Sequence, residues 1–416
     1  MKRKVFTQIP FGVFYGFGVL MMAYAFILDS PADIMAGLGR ILFAPSKLLT
    51  DYMAVGGIGA AFFNAGALLV LTVIGVQRSG ARTTGAIVAA LITVAGFSFF
   101  GKNLVNTLPI PLGVWLYARH QGTPFSNLVH IGLFGTGMAP IVSEIIFDFG
   151  LPYLYGVPLG IIVGVTVGYI LTPLSIQFLN FHQGYNLYNV GFTVGIIGMV
   201  FTGFVKMFSI DIIPVRILYQ GDDSMIVLFL LILFIGMIGY GLVMNQGFHG
   251  YGKLLQTSGR VVSDYLVEFS VPIVILNMGL LGLISIGYVK LSQGVINGPL
   301  VGAILTVVGF GGFGKHPRNV LPILIGVFIT SALNIYDPRG TESILVGLFA
   351  TTIAPIAGQF GFIAGILVGS AHDALAMNIG HLHGGLNLYN NGFSGGFIAA
   401  MSVPILDLIA ERVPRK

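Results

Sequence analysis

Long apolar runs separated by short polar breaks dominate the chain from its first residues to its last. Runs of roughly spanning length, about 17–25 residues, fall near 10–29, 53–76, 84–100, 127–147, 156–178 and 190–207. A second series lies near 225–245, 269–289, 297–313, 343–360, 361–379 and 391–410. Two further runs, 103–118 and 319–335, are shorter and carry Pro109 and Pro111 or Pro322. These two predict either tilted, Pro-kinked spans or re-entrant segments, whose freed backbone groups need protein or a water-filled cavity around them. The pattern predicts an all-α polytopic membrane protein of about 12–14 transmembrane segments.

The polar residues between the runs recur in order. Asp51-Tyr52 returns as Asp264-Tyr265, Asn64-Ala65-Gly66 as Asn277-Met278-Gly279, Phe100-Gly101-Lys102 as Phe313-Gly314-Lys315, and Asn106 to Ile110 as Asn319 to Ile323, all at an offset of 213. Gly132-Leu133-Phe134 and Ala139-Pro140 match Gly347-Leu348-Phe349 and Ala354-Pro355 at 215. His182-Gln-Gly-Tyr-Asn-Leu-Tyr-Asn-Val-Gly-Phe192 returns as His383-Gly-Gly-Leu-Asn-Leu-Tyr-Asn-Asn-Gly-Phe393 at 201. Low-complexity apolar sequence matches Gly and Leu by chance, but not His, Lys, Asn, Tyr and Pro in register. The chain is therefore a duplication, with repeats at 1–210 and 211–416. Each half holds seven apolar segments. An odd number makes the second copy enter from the opposite side, so the halves are expected to be inverted-topology repeats, which in transporters place the solute site at the repeat interface.

Composition agrees with a lipid environment. Of 416 residues, 8% are charged and 55% hydrophobic, with mean hydropathy +0.92; soluble domains carry about 25% charged residues. The 60 glycines suit close helix approach in membranes. The absence of cysteine excludes disulfides and thiolate chemistry. The net charge of +5 comes from basic clusters at segment ends, so nucleic acid is not an expected partner. Met1-Lys2-Arg3-Lys4 before a retained apolar run, with Arg78/Arg82, Arg119/His120, Lys253/Arg260, Lys315/Arg318 and Arg412–Lys416 on one side, predicts both termini in the cytoplasm of a bacterial inner membrane. Lys102, Lys206, Lys290 and Arg339 fall on the other side.

The strongest local signal is the duplicated polar stretch at His182 and His383. Asn189 and Asn390 stand where N-caps would stand, so one reading is capping and turn formation. The other is a solute site in which two helix starts face each other, lined by His182, Asn186, Tyr188, Asn189, His383, Asn387, Tyr389 and Asn390. Lys102 and Lys315 read as interfacial lysines whose stems snorkel or, with Asn106 and Asn319, as pathway residues favouring an anionic or strongly polar solute. Asn64 and Asn277 read as helix–helix glue or pore lining. Ionisable residues inside spans are costly and mark function: Glu144, Asp148, His130, His372 and Asp373 are unduplicated, which suits a proton or sodium coupling site, with Glu144, Asp373 and His372 the candidates. The histidines near 372–383 lack a known ligand spacing, so no metal and no cofactor is expected. No nucleophile elbow or phosphate loop occurs, so no catalytic residue is assigned.

The duplicated His-x-Gly-x-Asn-Leu-Tyr-Asn-x-Gly-Phe motif, with Phe-Gly-Lys and Leu-Pro-Ile, resembles a family of uncharacterised two-repeat bacterial integral membrane proteins over nearly the full chain. More distantly, Tyr188-Asn189-Val190-Gly191, Tyr389-Asn390-Asn391-Gly392, Leu108-Pro109-Ile110-Pro111 and Leu321-Pro322-Ile323-Leu324 resemble elements of the urea transporters. That likeness implies an inverted duplication around a pore. The Thr-x-Pro-Phe part of the urea transporters' motif is missing from both copies. The sequence thus points to a transporter for a small polar or anionic solute, with possible self-association. A passive urea-like channel, and an intramembrane enzyme or assembly factor, stand as alternatives.

Overall fold

Why the chain doubles on itself is visible in how equivalent helices pack. The computed structural model describes residues 8–333 and 335–412; the basic start Met1–Lys4 and the tail beyond Arg412 lie outside them. The first copy runs α1 (Phe11–Leu28), α2 (Ile58–Arg78), α3 (Gly85–Phe97), α4 (Pro109–His120, preceded by the turn Leu104–Thr107), α5 (Val129–Met138 and Pro140–Asp148, bent by 49°), α6 (Tyr153–Phe181) and α7 (Asn189–Lys206). The second repeats it as α8 (Ser224–Asn245), α9 (Val271–Leu291), α10 (Gly298–Gly309), α11 (Pro317–Leu333), α12 (Thr341–Phe360), α13 (Phe362–Ile379) and α14 (Asn390–Arg412). Among the described residues, nine helices are long and apolar enough to cross a membrane, and the bent α5 makes a tenth. The protein is an all-α polytopic membrane protein of two repeats.

The two Pro-containing runs are helices. Pro317–Leu333 is one helix with Pro322 inside it, and its counterpart is interrupted only at Leu108, which keeps right-handed helical angles. Proline removes a hydrogen bond without forcing the chain out of helix when neighbours cover the freed carbonyl.

At the centre, α3 and α10 pack on each other, and they are antiparallel. Gly85 faces Gly312, Ala89 faces Gly309, Gly96 faces Gly302, and the carbonyl of Phe99 faces Gly298. A Cβ on Gly85 would lie 2.2 Å from the Gly312 oxygen, so glycine is required for this backbone approach. Every residue of α10 and all but Ala86 of α3 is buried. At 1.5 Å per residue each is roughly 20 Å long, short of the ~30 Å hydrocarbon core.

The copies also exchange caps. Asp51 of the first copy accepts from the backbone N–H of Gly298 at 3.2 Å, the first residue of α10. Asp264 of the second accepts from that of Gly85, the first residue of α3, at 2.9 Å. The helix starts α7 and α14 also meet reciprocally, but side by side, with equivalent residues at the same level: Gly191 lies against Tyr389 and Gly392 against Tyr188, while Gly195 meets Phe393 and Gly396 meets Phe192. The reciprocal contacts relate the two copies by a pseudo-two-fold axis, and at that axis α3 and α10 run in opposite directions, as they do in inverted repeats.

Candidate functional site

The Phe-Gly-Lys motifs form buried turns at the ends of α3 and α10. Gly101 (φ +88°) and Gly314 (φ +106°) take left-handed backbone angles, which glycine adopts without steric cost. The asparagines from the neighbouring helices hold these turns. Asn64 donates to the carbonyls of Ser98 (2.7 Å) and Lys102 (2.9 Å), and Asn277 donates to those of Gly311 and Lys315 (both 2.8 Å). Asn106 and Asn319 donate to the carbonyls of Gly101 (3.0 Å) and Gly314 (2.9 Å). All four asparagine amides are spent within the protein, on backbone carbonyls and, for Asn106, also on the Ser143 hydroxyl at 3.0 Å, and therefore shape the site from behind.

These turns carry Lys102 and Lys315 into the interior, where both are fully buried. This corrects the expectation that they sit at the interface with their stems reaching the headgroups: each turn is covered by an earlier loop of its own copy and a leucine of the other, Ser46 and Leu388 against Gly101, Gly259 and Leu187 against Gly314. Lys315 Nζ donates to the Tyr188 hydroxyl and to the Thr351 hydroxyl, each at 2.6 Å, and lies over the Tyr188 and Phe310 rings. Lys102 Nζ lies 4.9 Å from the centre of the Phe97 ring and, among the described residues, has no hydrogen-bond partner. The Tyr389 hydroxyl, equivalent to that of Tyr188, is buried and has no hydrogen-bond partner among the described residues. The axis thus breaks symmetry at its most polar point.

The His loops are built from the same rules twice. His182 Nε2 pairs with Asn189 Oδ1 and His383 Nε2 with Asn390 Oδ1, both at 2.9 Å. Asn189 and Asn390 donate onward to the carbonyls of Ser175 (2.8 Å) and Ala376 (3.1 Å). Their side chains do not cap α7 and α14, which corrects the capping expectation: both side-chain groups are taken by the loop and the preceding helix. The turn-forming residues are Asn186 and Asn387, whose Oδ1 accepts from the N–H of Tyr188 (3.2 Å) and Tyr389 (2.9 Å). Their amides cross the axis to Gly392 (2.9 Å) and Gly191 (3.2 Å).

Two cavities flank this centre. One, of about 210 Å³, is lined by Phe134, Leu187 and Asn189; the other, of about 610 Å³, by their repeat partners Phe349, Leu388 and Asn390. The first reaches Ala86, in the opening turn of α3, and Phe313, just past α10. The second reaches Leu48 and Leu49, beside the Asp51 that caps the start of α10. They therefore lie at opposite ends of the central antiparallel pair. Between them stand aromatic rings: Tyr188 to Tyr389 at 5.7 Å, Tyr188 to Phe310 at 4.7 Å and Phe97 to Tyr389 at 4.5 Å between centres. The wider cavity is also the more polar, with Arg216, Glu342, Asn378, His381 and Asn391 on its wall.

The unduplicated ionisable groups are dispersed. The last turn of α5 is a π-helix, Glu144–Asp148, and it presents both acids to Lys47, at 2.7 Å and 3.1 Å. His130 lines the smaller cavity. His372 Nε2 pairs with Asn391 Oδ1 at 2.9 Å, and the hydroxyl of Ser331 lies 3.5 Å from the Asp373 carboxylate. Lys47, Thr136/Thr351 and Phe97/Phe310 escaped the sequence reading. The repeat offsets of 213 and 215 connect the Thr and Phe pairs, but a Thr or Phe in an apolar run carries no signal of its own.

No curated protein and no solved structure matches the chain. The family described as "Protein of unknown function (DUF1576)" matches residues 30–207 and 243–408, one stretch in each copy. Over most of its length and in both of its repeats, the chain belongs to that family.

Proposed function

We propose that the protein is a membrane transporter that moves a small polar or anionic solute between its two cavities through the layer around Tyr188 and Tyr389. One observation carries the reading: cavities lined by equivalent residues open at opposite ends of the α3–α10 pair, with a closed aromatic layer between them. Two-fold related halves of opposite direction offer two states of similar energy, in which either cavity is the wide one. The Lys315–Tyr188–Thr351 contact is made at the narrower side and its Lys102 counterpart, at the other end of the pair, is not made, as expected of one of those states. The closed layer favours a carrier over a passive urea-like channel, which needs a continuous path. Glu144, Asp373 and His372, being unduplicated, are the places where a proton or sodium ion would couple to the solute. With the basic clusters inside, the narrower cavity faces the cytoplasm of a bacterial inner membrane.

Uptake into proteoliposomes of the purified protein tests this. A panel of small neutral and anionic solutes should include one whose flux exceeds that of protein-free vesicles and responds to a proton or sodium gradient. Flux equal to that of empty vesicles for the whole panel contradicts the reading.

A further inference from the structure

Among the described residues three lysines are buried, and they are treated differently. Lys47 has two carboxylates, Glu144 and Asp148. Lys315 has no carboxylate but two hydroxyls at 2.6 Å. Lys102 has neither: it is fully buried, among the described residues it makes no hydrogen bond and no ion pair, and only the face of Phe97 is close. An ammonium in a dry interior is stable only when paired and hydrogen-bonded, and an unpaired one costs several kcal/mol. The comparison with Lys315 shows that this turn geometry can satisfy a lysine with protein groups, through a Tyr and a Thr of equivalent position. The equivalents for Lys102 are present too, Tyr389 from the second copy and Thr136 from the first, and neither bonds to it.

We infer that Lys102 Nζ is the binding group for a small monovalent anion at the centre of the protein. This rests on the transport reading and names the solute class. What sets Lys102 apart is that its amine alone of the three has no polar partner, so a bound anion would supply both the acceptor and the negative charge that stabilise its protonated form. Neither cavity reaches Lys102, and the Phe97 and Tyr389 rings closing the axis are 4.5 Å apart between centres. A ligand therefore enters only when that layer shifts, which selects ions of few atoms over a lipid headgroup or a large metabolite.

Nitrate and formate are suitable probes, with urea as the neutral comparison, added to the purified full-length protein in detergent while ionic strength is held with a bulky anion. Nitrate or formate raises the Tm of the wild type, urea does not, and Lys102→Met and Lys102→Gln lose the shift. Without any probe, Lys102→Met is at least as stable as the wild type, because no partner is lost and a buried charge is removed. A shift that persists in both variants, a shift with urea alone, or failure of both variants to fold overturns the site. The same preparation in proteoliposomes separates the two ideas. Movement of urea or glycerol with no binding of nitrate or formate overturns the anion site and leaves transport standing. A Lys102-dependent shift with no flux of any solute overturns transport and leaves the site. Neither binding nor flux overturns both.

Discussion

The side-chain amide of Asn186 donates to the carbonyl of Gly392, 2.9 Å away in the other copy, and Asn387 returns the bond to Gly191 at 3.2 Å. Each asparagine also fixes the first residue before its helix, through Tyr188 or Tyr389. Asn387→Ala leaves the buried N–H of Tyr389 without its partner, at a cost of roughly 1–3 kcal/mol, whereas in Asn186→Ala the Tyr188 N–H keeps the Thr352 hydroxyl at 2.9 Å and the loss should be smaller. Because both bonds cross one axis, the double variant should differ from the sum of the singles. Unfolding of purified protein in detergent measures this, and two single variants with wild-type stability would count against a joint held by these residues.

The α3–α10 crossing makes a sharper distinction. Gly85→Ala places a Cβ 2.2 Å from the Gly312 oxygen, whereas a Cβ on Gly12 meets nothing within 4 Å. The first substitution should sharply reduce the yield of folded protein and the second should leave it unchanged, as seen by size-exclusion profiles. Equal profiles would mean that the central helices are not this close.

Lys47 and Glu144 form a buried pair at 2.7 Å. Lys47→Met strands Glu144 and should lower stability by about 3–5 kcal/mol, whereas Glu144→Gln leaves Lys47 paired with Asp148 at 3.1 Å and should cost less. Lys47→Met combined with Glu144→Leu should recover much of the loss, since an apolar pair of similar volume carries no desolvation penalty. If Glu144 also couples an ion to transport, Glu144→Gln removes the gradient dependence of uptake as well. A variant that loses stability but keeps its gradient dependence assigns Glu144 a structural part only.

The repeat and the span pattern were legible because membrane helices announce themselves by long apolar runs and because polar residues kept their spacing in both copies. The same spacing led to Asn64/Asn277, Asn106/Asn319 and the His182 and His383 loops. What the linear pattern could not carry is which copy supplies a partner. Asp51 caps a helix that begins 247 residues later, and Asn186 bonds 206 residues away. Asn189 and Asn390 read as caps because they precede apolar runs, yet their side chains are already engaged by His182 and His383. Lys102 and Lys315 read as interfacial because a lysine at a segment end usually is, and only the glycine turns with Gly101 and Gly314 reveal that the chain folds inward there.

The most direct test of the account asks whether its two cavities face opposite sides of the membrane. The chain has no cysteine, so a single introduced one is unique. Ile176 lines the narrower cavity and Met377, its partner in the second copy, lines the wider one. In oriented membrane vesicles treated with a membrane-impermeant maleimide, Ile176→Cys should react from one side only and Met377→Cys from the other only. Reaction of both from the same side would contradict the two-sided pathway on which the proposed function rests.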